Sequence, residues 1–223
     1  MTEGSLVHAD GQTDARSLTE LEWRPMAVML VGAVCMGFDG AVQRGQISLP
    51  WHWPYLAPGT VLSYLVLPLL TLTLLGYRPL RYLALGRWGE VLPLFLVFLV
   101  VVLACSMWLS SLAAVRAAYP ALVAGQGTSL LLATFFTTIC VEFFFRGFLL
   151  LPLFTKFSWY ALPIVAMPYC LIHVGKPLVE LFGSIAFALG LSYLAVRSGS
   201  IVYGVVLHWL LAVAIPLWLS RSG

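Results

Sequence analysis

An all-α, polytopic bundle of about seven membrane-spanning helices is the fold this sequence predicts. Three observations carry it. Of 223 residues, 61% are hydrophobic and only 9% are charged, against about 25% charged in soluble domains. Mean hydropathy is +0.96. Five of the nine acidic residues (Glu3, Asp10, Asp14, Glu20 and Glu22) fall in the polar opening, which leaves the rest of the chain almost free of acids. So much apolar surface exceeds what one water-facing globule of this length can bury, and a bilayer is the solvent that accepts it.

The elements follow in order. Residues 1–24 read as a polar tail without the basic start and small-residue cleavage site of a secretory signal. A spanning helix needs roughly 20 mostly apolar residues. Runs of that kind occupy about 25–43, 57–76 and 91–112 in an N-terminal group, then 127–153, 158–174, 179–197 and 200–219 in a C-terminal group covering 127–219. Asp39 and several glycines interrupt the first run. The fifth is short and carries Pro163 and Pro168. Between the first two runs, "LPWHWPYLAP" gathers Trp, Tyr and Pro around His52, a composition suited to the headgroup level.

The arginine-rich loop "GYRPLRYLALGRWGE" is expected on the cytoplasmic side. A seven-span scheme then places the N-terminus, Lys156 and Arg197 on that side too. Arg44, Arg116, Lys176 and Arg221 fall on the other. A net charge of +3 spread over loops does not suggest nucleic acid. The four cysteines lie in apolar runs without CxxC spacing and read as small buried hydrophobes. Gly183, Ala186 and Gly190 share one face of the sixth run, a pattern for close helix packing.

The informative residues are polar groups in apolar surroundings. Glu142 and Arg146, in "CVEFFFRGF", are four apart and share a helix face with the acid N-terminal to the base. A charge at mid-bilayer is unfavourable by roughly 2.5–3.5 kcal/mol on insertion scales, so each needs a partner or a wet cavity. A self-neutralised pair pinning the bundle is the plain reading, and a functional cavity is the other. His173 ends the fifth run in "PYCLIHVGKPLVEL", where Lys176 and Glu180 are again spaced four apart. His208 lies deep in the last run, in "YGVVLHWLLAV".

A carboxylate and two histidines from separate apolar segments suit hydrolysis, with the carboxylate as general base on water and a histidine donating to the developing oxyanion. One Glu and two His would alternatively hold zinc with an open fourth position. The HExxH signature is absent, so no metal or other cofactor is expected and zinc is the alternative. Buried charges also occur in transporters, but no repeated halves with broken helices are visible.

These residues resemble the CAAX-protease and bacteriocin-processing (CPBP) family of intramembrane proteases, type II CAAX endopeptidase-like. The family pattern is EExxxR, FxxxH and HxxxN on three separate helices. Here it stands as "VEFFFR" at 141–146, "YCLIH" at 169–173 and "HWLLA" at 208–212. The resemblance implies an intramembrane endopeptidase in a bacterial cytoplasmic membrane, acting on membrane-presented peptides or proteins by activated water. Within it, Glu142 is the expected base, His173 its partner and His208 an oxyanion or water ligand. Arg146 orients Glu142, and Glu180 supports or substitutes for it. The chain departs from the pattern at Val141, where the family has its first Glu, and at Ala212, where it has an amide. Those losses raise the alternative of a pseudoprotease that binds a membrane peptide or scaffolds a partner.

Overall fold

The computed structural model describes residues 15–49, 57–118 and 128–221. The aromatic loop around His52 lies outside them, as do residues 1–14 of the polar tail. Helices dominate, and no strand occurs among the described residues.

α1 (Ala15–Gln43) begins inside the polar opening. The reason is local propensity: "ARSLTELEW" is rich in Ala, Leu, Glu and Arg, which favour a helix. α2 (Pro58–Leu74) follows, then α3 (Trp88–Ser111) and the short α4 (Ala113–Ala118). α5 covers 128–157 and contains a π-helical segment at Phe143–Leu150. α6 (Ala161–Leu171), α7 (Leu178–Ser198) and α8 (Val202–Arg221) complete the chain.

Among the described residues, five stretches are long and apolar enough to cross a membrane, against the seven or so runs expected. α2 has the composition but is a shorter helix. The fourth and fifth runs share the apolar stretch 131–171, but the helix breaks at Ser158, which takes a φ of +49°, and the chain turns back so that Tyr169 packs over Arg146. With Pro163 and Pro168 in place, α6 is only 11 residues long, about 16 Å at 1.5 Å per residue.

The core sits around the π segment of α5. All eight of its residues are buried, and Phe144 stacks on Tyr64 of α2 at 4.5 Å between centroids. Outward, α3 exposes Leu96, Val97 and Val100, as a lipid-facing helix should. Asp39 is buried yet satisfied, accepting hydrogen bonds from Thr60 Oγ1 at 2.8 Å and from the Gln43 amide. A buried polar group that is hydrogen-bonded in this way ties α1 to α2 without leaving its oxygens unsatisfied.

Two expectations are modified by the packing. Of the small residues on α7, only Gly190 is pressed against a neighbour, with Phe98 of α3 filling the space a Cβ would need. Gly183 and Ala186 instead border a cavity. Cys35 and Cys140 are buried as predicted, whereas Cys105 is exposed and faces that same cavity.

Candidate active site

Glu142 and Arg146 lie at the centre of the bundle, 0% and 1% exposed, with Arg146 Nη1 donating to Glu142 Oε1 at 3.1 Å. The same Oε1 accepts from His208 Nδ1 at 2.7 Å, joining two helices 66 residues apart in sequence. Arg146 also lies over the Tyr169 ring, 4.5 Å from Cζ to the centroid, an orientation that gains from the ring quadrupole. The predicted pair is therefore a three-helix cluster of α5, α6 and α8.

Sequence reasoning missed Gly204. A Cβ built on it would lie 2.6 Å from Glu142 Oε2, too close for any side chain. Its signal was its position four residues before His208, on the same face of α8. Gly204→Ala should lower the thermal midpoint even though alanine is favoured over glycine in a helix by roughly 1 kcal/mol. The carboxylate cannot retreat without loosening its bonds to Arg146 and His208. A midpoint equal to or above that of the parent would show that the close approach is not real.

His173 follows α6 in the turn at 172–177. Its Nδ1 donates to the Tyr169 carbonyl at 2.9 Å. A carbonyl only accepts, so Nδ1 carries the proton and Nε2 of the neutral ring is an acceptor. Burial, with the Lys176 ammonium next, lowers the His173 pKa to about 4. Between pH 6.5 and 4 the unfolded chain therefore binds the proton that the folded one refuses, and this residue makes stability fall as pH drops through that window. Titrated by NMR, the His173 ring should remain neutral at pH 5.5. A midpoint near the ordinary histidine value would contradict this environment.

A cavity of about 360 Å³ is lined by Phe98, Cys105 and Trp108 of α3, by Glu180, Ser184 and Phe187 of α7, and by Tyr169, His173 and His208. It brings together three of the predicted residues: Glu180 and both histidines. Glu142 does not line it and reaches it only through His208. A separate cleft of about 230 Å³ is bordered by Thr134, Thr137, Thr138, Val141 and Ala212, with His208 common to both. Val141 and Ala212 thus share one cleft, away from His173 and Glu180.

Zinc would need at least three protein donors around one point. Glu142 Oε1 is taken by Arg146 and His208, and no group of three His, Cys, Asp or Glu side chains able to hold a metal ion occurs among the described residues.

The fold and site define an integral membrane helix bundle with a buried Glu–Arg–His cluster beside a predominantly apolar cavity. Within that class, residues 124–214 match the family model described as type II CAAX prenyl endopeptidase Rce1-like, so this region of the chain is similar to that family. Comparison with curated proteins and with solved structures gave no match.

Proposed function

We propose that this chain is a working intramembrane endopeptidase whose water is activated by Glu180 and His173, not by Glu142. One observation carries this reading: Glu180, His173 and His208 line one cavity, while Glu142 is sealed beneath it by Arg146 and His208. A base must reach the proton it removes, directly or through one water.

In this mechanism the carbonyl of a membrane-presented peptide sits between Glu180 and His208. Water attacks the carbonyl carbon and gives a proton to the Glu180 carboxylate, directly or by way of His173 Nε2. The carbonyl π pair moves to oxygen, and His208 donates from Nε2 to the oxyanion. Glu142 orients the His208 ring and steadies the positive charge on it, as a buried carboxylate does behind a catalytic histidine. Collapse of the intermediate breaks the C–N bond, and the departing nitrogen takes the proton held by Glu180. Arg146 holds Glu142 in place, with Tyr169 as its platform.

The cavity's walls suit an apolar segment of a membrane protein or a membrane-bound peptide, in a bacterial cytoplasmic membrane. A second reading, a peptide-binding pseudoprotease, is favoured by one specific observation: Val141 and Ala212, where the family pattern has a carboxylate and an amide, face the same cleft beside His208.

No step here uses a metal. Purified protein in proteoliposomes should therefore hydrolyse a membrane-tethered peptide at an unchanged rate in excess chelator. Activity abolished by the chelator and restored by Zn²⁺ would replace this scheme with metal-bound hydroxide chemistry.

A further inference from the structure

The loop before α3 and the turn between α7 and α8 meet. Arg87 N donates to Ser198 O at 3.0 Å, Arg87 Nε to Arg197 O at 2.8 Å, and Ile201 N to Tyr82 O at 2.9 Å. Arg24 lies close enough to Tyr77 to act on its hydroxyl, so the start of α1 reaches the same end of the bundle. At the end of α5, Trp159 stacks on Tyr193 of α7, 5.6 Å between centroids, which brings Lys156 there as well. Arg24, Arg78, Arg81, Arg87, Lys156 and Arg197 therefore gather at one membrane face.

The cavity lies toward the other face. α7 runs for 21 residues, about 31 Å, which matches a hydrocarbon core of roughly 30 Å. Its last turn meets Arg87, whereas Glu180 and Ser184, which line the cavity, are in its first two turns. On α3 the lining residues begin at Phe98 and continue to Trp108 and Leu109 near the helix end, the end away from Arg87. His208 marks the deep limit, and the turn carrying His173 and Lys176 marks the mouth. Arg44, Arg116, Lys176 and, at the end of α8, Arg221 belong to this second face, four cations against the six at the other.

Excess Lys and Arg in short loops mark the cytoplasmic side. We infer that the catalytic cavity opens in the non-cytoplasmic half of the bilayer, so that its substrates are polypeptide segments presented from that side. The substrate half of this inference rests on the hydrolase reading above; the sidedness does not.

The test is cysteine labelling of the full-length chain in cells. With Cys35, Cys105, Cys140 and Cys170 replaced by alanine, and cleavage or thermal midpoint retained, single cysteines are placed at Val174 and Leu80. These residues are 67% and 69% exposed, and neither belongs to the site. A membrane-impermeant maleimide added to spheroplasts should label Val174→Cys and leave Leu80→Cys unlabelled, and inverted vesicles should reverse the pattern. Labelling of Leu80→Cys in spheroplasts, alone or together with Val174→Cys, would overturn the inference. A chain that labels as expected but never hydrolyses a peptide would remove the function and leave the sidedness standing.

Discussion

Glu180→Gln should reduce hydrolysis of a membrane-tethered peptide by roughly 10²-fold or more while leaving the thermal midpoint close to that of the parent. The amide keeps the shape of the side chain and cannot accept the proton from water. Glu180 belongs to the cavity wall near the start of α7, not to the buried Glu142–Arg146–His208 cluster. KM should change less than kcat, because the cavity's apolar walls hold the substrate. A variant that cleaves like the parent would return the base role to Glu142.

Glu142→Gln should produce the opposite signature, a large loss of stability. Arg146 is 1% exposed and its charged partner is Glu142. Removing one member of a buried ion pair leaves an uncompensated charge and destabilises by about 3–5 kcal/mol. The change should be read as a lowered midpoint in a detergent melt, with weakened cleavage following from a His208 ring that has lost its anchor. Should Glu142→Gln melt like the parent and lose activity alone, Glu142 acts in the chemistry itself. Together the two variants separate a residue that meets substrate from one that holds another residue in position.

Much of this was legible in the chain. Runs of apolar residues predict the bundle because a bilayer demands them, and Glu142 with Arg146 announces itself by being charged where no water is expected. Spacing within one helix is readable in the same way, which is why that pair was anticipated. What spacing cannot supply is which helices face each other. The Glu142–His208 bond spans 66 residues, and its geometry depends on a glycine, Gly204, whose only local signal is its place one turn before the histidine. Nor does the order of motifs reveal that Glu180 lines the cavity while the carboxylate inside the motif does not. What the apolar runs do not show is helix length: the chain turns back at Ser158 between the fourth and fifth runs, and α2 and α6 are apolar but short.

Val141 and Ala212 leave the sharpest question, whether the chain cuts at all. The most direct measurement is mass spectrometry of a single-span peptide incubated in H₂¹⁸O with the purified protein in proteoliposomes. Activated water predicts a product whose new C-terminal carboxylate carries one ¹⁸O, formed by the parent and lost in Glu180→Gln. A parent protein that binds the peptide and returns it intact would contradict the account and leave a pseudoprotease.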